Sequence, residues 1–359
     1  MSYEENVRKV TPYTPGEQPT GKVIKLNTNE SPYPPAPEVY KALEGLNIEE
    51  LRKYPDPVCM ELVSALASYY GLDEDEVFVG VGSDDVLSMC FLTFFNGKDP
   101  ILFPDITYSF YDVWAEVYDI PYKTIPLKED FSIDPSDYRN EKNGGIVIAN
   151  PNAPTGVIED LTVIEDIISH NPDVCVIIDE AYVDFGGVTA LPLLKKYENV
   201  IVVRTMSKSR SLAGMRIGYA FGNKKAIKYL NDVKFSVNSY TMNMPSLKAG
   251  AAAIRDDAYF RETVSKIIAT REWTKEQLKD LGFTFRDSAT NFIFASHEGV
   301  LLGESREELA RRIFETLKSR NIFVRYFEKP RIDGYLRISI GTDEEMRIFI
   351  ETLKEIIMR

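Results

Sequence analysis

Apolar residues along this chain come in two rhythms. Between residues 77 and 221 they form short runs rich in valine and isoleucine: Val77–Gly80, Ile101–Phe103, Gly145–Ala149, Val174–Ile178, Val200–Arg204 and Ile217–Phe221. Runs this short, apolar at nearly every position, read as strands buried on both faces. Between several of them lie segments with apolar residues three and four apart, which predict helices at Asp84–Phe95, Ser109–Val117, Asp160–Ser169 and Ala190–Lys196. Two further helices are predicted upstream, at Pro37–Gly45 and at Val58–Tyr70, the second stopped by Gly71. Strands alternating with helices predict an α/β domain with a largely parallel sheet, here placed at residues 36–245.

From residue 246 the rhythm changes. Ser246–Ile254 and Tyr259–Leu281 read as helices, Phe283–Arg286 and Asn291–Ala295 as strands, Arg306–Arg320 as a helix, Ile322–Arg325 and Tyr335–Ile340 as strands, and Asp343–Met358 as a closing helix. This predicts a smaller α+β domain over 246–359. Residues 1–35 carry Pro12, Pro15, Pro19, Pro32, Pro34 and Pro35, which remove backbone donors and disfavour helix. They are expected to form an ordered arm that lies over the body and packs with the smaller domain.

Composition narrows the function classes. In 359 residues there are 42 Lys and Arg against 55 Asp and Glu, a net charge of −13. Nucleic acid and anionic membranes need cation-rich faces, so neither is an expected partner. The hydrophobic fraction of 44% is that of a globular chain able to bury a core. Cys59, Cys90 and Cys175 lack the spacing of a zinc site or a disulfide framework, and only His170 and His297 could add imidazole ligands, so no metal is expected. Few, scattered cysteines, no apolar stretch between Met1 and Pro15, and no run of the roughly 18–20 apolar residues that span a bilayer predict a cytoplasmic protein.

Four segments carry candidate chemistry, each just past a predicted strand. Thr205-Met206-Ser207-Lys208 continues to Arg210 and Arg216, and a lysine becomes nucleophilic when neighbouring cations or burial lower its pKa. Asp179 ends the run Val176-Ile177-Ile178, at the edge where α/β sheets bind ligands. Asn150-Pro151-Asn152-Ala153-Pro154-Thr155-Gly156 follows another strand, and Gly80-Val81-Gly82-Ser83-Asp84 is a strand–glycine–helix junction whose free N–H groups can hold a phosphate. Taken singly, each has a structural reading: a solvated lysine, a helix cap, a turn, a glycine pair.

Taken in order, they closely resemble the active-site series of the fold-type I aminotransferases, which use pyridoxal 5′-phosphate (PLP). Asn152 and Asp179 stand 27 residues apart, and Lys208 and Arg216 eight apart, as in that family. The resemblance implies a large domain with a mostly parallel seven-stranded sheet between helices. It implies that Lys208 carries the cofactor and moves the substrate proton, and that Asp179 pairs with the pyridinium nitrogen. Asn152 and Tyr182 would bond the ring's 3′ oxygen, and Tyr108 would stack on the ring. Backbone N–H of Ser83 and Asp84, the hydroxyls of Thr205 and Ser207, and Arg216 would hold the phosphate.

Finer marks are similar to the histidinol-phosphate aminotransferases. These are Pro12-Tyr13-Thr14-Pro15-Gly16, Leu26-Asn27-Thr28-Asn29-Glu30, Tyr54-Pro55-Asp56-Pro57 and Arg337-Ile338-Ser339-Ile340-Gly341-Thr342. That likeness implies exchange of an amino group between histidinol phosphate and 2-oxoglutarate in histidine biosynthesis. Arg325, Arg337, Tyr13 and Asn27 would bind substrate. Tyr54 would reach the cofactor phosphate of a neighbouring subunit, implying a homodimer with shared sites. The alternatives are an aromatic or broad-specificity aminotransferase and a PLP-dependent decarboxylase of an O-phosphorylated amino acid.

Overall fold

The computed structural model describes residues 2–139, 141–299 and 303–358. The arm contributes strand β1 (Ile24–Leu26), followed by helices α1 (Pro37–Glu44) and α2 (Met60–Tyr70). Then come β2 (Val77–Gly80), α3 (Ser83–Phe94), β3 (Ile101–Pro104), α4 (Tyr111–Val117), β4 (Tyr122–Ile125), α5 (Ser136–Arg139), β5 (Gly145–Ala149), α6 (Leu161–Ser169), β6 (Val176–Asp179), β7 (Val200–Thr205) and β8 (Gly218–Gly222). Helices α7 (Lys224–Val237), α8 (Met244–Arg255) and α9 (Asp257–Asp280) lead to β9 (Phe283–Phe285), β10 (Phe292–His297), α10 (Arg306–Ser319), β11 (Ile322–Tyr326), β12 (Tyr335–Ser339) and α11 (Asp343–Ile357).

The larger sheet has seven strands in the order β2-β8-β7-β6-β5-β3-β4, with every pairing parallel except the two made by β8. Its central strands β5, β6 and β7 are buried at every position because both faces are covered. Val176, Ile178, Val200 and Val202 face a core built with α2, α6 and α8, while Ile177, Ile201 and Val203 face one built with α3, α4 and α7. The register sets Ala149 beside Asp179 and Asp179 beside Val203. The strand ends are therefore level, and the loops that follow emerge together at one edge, where such sheets hold ligands.

The smaller sheet runs β1-β11-β12-β10-β9, with the arm strand parallel to β11 and the other pairings antiparallel. Its core joins Leu26 of the arm to Leu309, Ile313, Phe349 and Leu353 of α10 and α11. The cross-strand register puts Arg325 directly opposite Arg337.

Several expectations shift. Helix α8 packs against α1 and α2, and Ala249, Ala251 and Ala253 lie in the core of the larger unit. We therefore propose that the division of the two units falls at the α8–α9 junction, not at 245. Ala190–Lys196 is a 3-10 turn at Leu191–Lys195 rather than an α-helix, with Pro192 removing a donor. The apolar pattern predicts neither strand β4 nor helix α7. Strand β4 is exposed at three of its four positions, as an edge strand is, and so lacks an apolar run.

One buried ion pair fixes the sheet edge. Glu180, the residue after β6, meets Arg204 of β7 at 2.8 Å, with side chains 1% and 6% exposed. Arg204 also approaches Asp184 at 3.6 Å and bonds the Tyr70 hydroxyl at 3.2 Å. Removing one partner would leave a buried charge unpaired. Arg204→Ala is expected to cost roughly 3–5 kcal/mol in urea unfolding, whereas Glu180→Gln with Arg204→Met should recover most of it. A near-neutral Arg204→Ala would show the pair to be dispensable.

Candidate active site

The loops after β2, β3, β5, β6 and β7 open on one cleft. Ser83, Asp84, Tyr108, Asp179, Tyr182, Thr205, Ser207, Lys208 and Arg216 all line it, so the structure brings together nine of the residues expected from sequence. Glu30 and Thr28 of the arm form part of the same wall.

Asp179 is buried at the floor. Its Oδ2 accepts from the Tyr111 hydroxyl at 2.9 Å and its Oδ1 from the Ala181 N–H at 3.2 Å. Burial pushes its carboxyl up to about 6; these two donors oppose the rise, and the Asp84 and Glu180 charges add to it. Lys208 lines the same cleft. It donates to the Thr28 carbonyl at 3.2 Å and lies 5.7 Å from the centre of the Tyr182 ring.

At one end the cleft is a cradle for an anion. Helix α3 begins at Ser83 after Gly82, so the N–H groups of its first turn have no helical acceptor. Arg216 has φ 51°, a left-handed conformation that aims its guanidinium over Gly82. A Cβ at Gly218 would lie 2.2 Å from the Gly82 carbonyl carbon, and Gly82 itself has φ 86°, so backbone contact at one position and backbone conformation at the other call for glycine. The Thr205 and Ser207 hydroxyls meet at 2.9 Å beside it. Asp84 ties this end to the ring position: it accepts from Arg216 at 3.2 Å and from the Tyr108 hydroxyl at 2.8 Å.

Three successive arm residues each hold a different side chain of the site. The Asn27 carbonyl accepts from Arg337 at 3.0 Å, the Thr28 carbonyl from Lys208, and the Asn29 side chain donates to the Tyr182 hydroxyl at 2.9 Å. Asn29 is anchored in turn by Ser339 of β12, at 2.8 and 2.9 Å. Arg337 stacks between Phe292 and Phe327, and burial, with the neighbouring Arg325 charge, lowers its pKa. Arg337 Nε, Asn27 Oδ1 and Thr28 Oγ1 are buried polar atoms without a protein partner among the described residues, which suits a site built to bind something polar. Arg325 and Tyr13 line an adjoining groove under the arm, where Tyr13 stacks on Phe110 at 4.1 Å.

Two expected residues sit differently. Asn152 spends its amide tying its loop to the one after β3, donating to the Ile106 carbonyl and to Thr155 of its own loop and accepting from Thr107, all at 2.9 Å; Pro151 and Ala153 form the cleft wall there. Tyr54 is 79% exposed and stacks on Tyr240 outside the cleft of its own chain. Tyr111, Asn29 and Thr28 were not singled out from the sequence. Asn29 and Thr28 lie inside a motif that was, while Tyr111 reads as one more aromatic of an apolar helix face.

The residues fit PLP. Arg216, the first turn of α3 and the two hydroxyls match its phosphate, Asp179 a protonated ring nitrogen, and Lys208 its aldehyde carbon. No group of three His, Cys, Asp or Glu that could hold a metal occurs among the described residues, and no described helix is long and apolar enough to cross a membrane.

Comparison with known proteins agrees in kind. Residues 21–353 match the family model for aminotransferase class I and II. The chain is 51% identical over 355 residues, 98% of each chain, to a histidinol-phosphate aminotransferase of Brachyspira hyodysenteriae. It is 51% identical over 356 residues, 99% of this chain and 98% of the other, to one of Lactococcus lactis subsp. cremoris. The crystal structure of the histidinol-phosphate aminotransferase of Sinorhizobium meliloti in complex with pyridoxal-5′-phosphate superposes with a TM-score of 0.84 at 26% identity, covering 94% of this chain and 91% of that one.

The Asp179 carboxyl sets a pH signature. Its pKa rises from 3.8 to about 6 on folding, so the cofactor-free fold holds a proton that the unfolded chain releases between those values. The resulting stabilisation is complete below about pH 4 and lost as pH rises through about 6, a change of roughly 3 kcal/mol. Asp179→Asn removes it. The urea midpoint of the cofactor-free variant should gain on that of the wild-type chain between about pH 4 and about pH 8. Parallel pH profiles would contradict the assigned burial.

Proposed function

The chain belongs to the class I and II aminotransferases, and on that premise we propose that it exchanges an amino group between L-histidinol phosphate and 2-oxoglutarate with PLP as cofactor, a step of histidine biosynthesis. The observation that carries the substrate is identity at half of all positions, over nearly the whole chain, with relatives of that name. The site supports it with two cations in register, Arg325 opposite Arg337 on adjacent strands, Arg325 lining the groove beside the cleft. Glutamate brings two carboxylates and histidinol phosphate one phosphate. A guanidinium pair can grip either, because its donors fork onto paired oxygens. The aromatic surfaces of Tyr13, Phe110 and Phe327 beside it offer flat faces for an imidazole. A second cation in the pocket disfavours a purely aromatic substrate.

PLP, when bound, supplies an electron sink that allows a Cα–H bond of the substrate to ionise. The chain's own groups do the rest. Lys208 would hold the cofactor at its aldehyde carbon, and its amine would move the proton between the substrate Cα and the cofactor C4′. Asp179 keeps the ring nitrogen protonated. Tyr182 and Asn152 would hold the 3′ oxygen, Asn152 by releasing its bond to the Ile106 carbonyl or to Thr155, and Tyr108 would cover one ring face. Arg216, Thr205, Ser207 and the first turn of α3 fix the phosphate, so the ring does not drift as the proton moves. Arg337 binds the carboxylate of glutamate and shares the phosphate of histidinol phosphate with Arg325, with Tyr13 and Asn27 closing the site from the arm.

The assembly that suits this chemistry is a homodimer in the cytoplasm. Ile48, Leu51, Tyr54, Val237 and Tyr240 are all more than 40% exposed. The Tyr54–Tyr240 stack and the bond from Lys234 to the Pro57 carbonyl join their two segments into one apolar patch. Such a patch calls for a protein partner. A second copy would carry Tyr54 to the neighbouring phosphate site.

Lys208→Ala is expected to abolish both transfer and the near-visible absorbance of the bound cofactor, and turnover in that variant would sink the role of Lys208. Glutamate and histidinol phosphate should each convert the purified protein to its pyridoxamine form. Faster conversion by phenylalanine than by histidinol phosphate, or release of CO2 from a phosphorylated amino acid, would replace the substrate assignment. Mixed dimers of Tyr54→Ala and Lys208→Ala chains should regain one intact site each. No recovery over the separate variants would remove Tyr54 from the neighbouring site.

A further inference from the structure

Tyr111 opens α4 and is buried among Phe91, Phe103 and Trp114. A phenylalanine would fill that space equally well, and a buried hydroxyl costs free energy unless it is paired. Tyr138, equally buried, has a hydroxyl with no protein partner among the described residues, so this fold does not supply partners to buried tyrosines as a matter of course. The Tyr111 hydroxyl has one: it donates to Asp179 Oδ2 at 2.9 Å. The Ala181 N–H holds the other oxygen at 3.2 Å, so each carboxylate oxygen has one neutral donor while the residue lines the cleft. The turn that supplies this clamp also supplies Tyr108. The Tyr111 N–H bonds the Tyr108 carbonyl at 3.2 Å, and the two rings meet edge to face at 5.8 Å.

We infer that Tyr111 is a positioning residue for amino transfer, holding Asp179 ionised and aimed at the ring nitrogen of the bound cofactor. This rests on the function proposed above. The charges around Asp179 leave that task to a neutral donor. Asp84 at the start of α3 and Glu180 beside it both favour its protonation. Arg216 is engaged with Asp84, and Arg204 with Glu180. Tyr108 and Tyr182 face the Tyr111 hydroxyl, and Lys208 lines the same cleft, bonded to the Thr28 carbonyl. Donation from Tyr111 favours the ionised carboxylate, against burial that lifts its pKa to about 6.

The test is PLP binding to the cofactor-free protein, by equilibrium dialysis at pH values from about 5 to about 9, for the wild-type chain, Tyr111→Phe, Asp179→Asn and the double variant. The wild-type affinity should fall below a midpoint set by Asp179. In Tyr111→Phe that midpoint should move up by roughly one pH unit, a tenfold loss on the acid side that closes at alkaline pH. In the Asp179→Asn background the Tyr111→Phe change should add nothing. An unmoved midpoint, an equal loss at every pH, or the same loss without Asp179 would each assign Tyr111 to packing alone and overturn the inference. Failure of the wild-type chain to take up PLP would overturn it together with the function it rests on.

Discussion

The active edge of this protein is organised around two adjacent carboxylates given opposite treatments. Glu180 is buried against Arg204 and is a fixed part of the scaffold. Asp179, one residue earlier, is buried just as deeply but is held only by a hydroxyl and a backbone N–H. A buried carboxylate gripped by neutral donors keeps its appetite for a cation, and Asp179 lines the cleft. The level ends of β5, β6 and β7 make this possible, because they bring Asn150, Glu180 and Arg204 into one row without a helix in the way.

The cation side of the site shows how an acidic chain binds anions. A net charge of −13 weighs against polyanions that read a whole surface. It says little about a cleft lined by Lys208 and Arg216, with Arg325 in the adjoining groove and Arg337 paired opposite it. Setting Arg325 opposite Arg337 across two strands is unfavourable in itself. Phe292 and Phe327 offset part of that cost by stacking on Arg337, and Phe327 also faces Arg325. An anion placed between the two would relieve the rest.

The fold was legible in the sequence wherever burial wrote a pattern. The central strands β5, β6 and β7 read correctly to within two residues because both their faces are covered. Strand β4 was illegible because its side chains face water, and α7 because Lys234 stands buried at a position where its periodicity asks for an apolar residue. Helix α8 was legible as a helix but not as part of the larger unit, since a helix face does not say which neighbour it meets. In the site, residues whose chemistry is a charge at a strand end, such as Asp179 and Lys208, could be read. Tyr111 could not: its ring obeys the apolar pattern, and only its hydroxyl does anything else.

The arm follows from the same logic. A Pro-rich segment cannot satisfy its own backbone groups by forming a helix, so its carbonyls are free to serve other side chains. Here Asn27 and Thr28 give theirs to Arg337 and Lys208, while the side chain of Asn29 takes the Tyr182 hydroxyl. These contacts tie the arm to side chains of both units, because Arg337 belongs to the smaller sheet and Lys208 and Tyr182 to loops of the larger one. Strand β1 pairs with β11 a few residues earlier and so sets the height at which those three residues cross the cleft. The arm thus acts as a ruler between the two units. A shift of β1 by one residue would present side chains where carbonyls are needed, and lysine and arginine would lose their acceptors together.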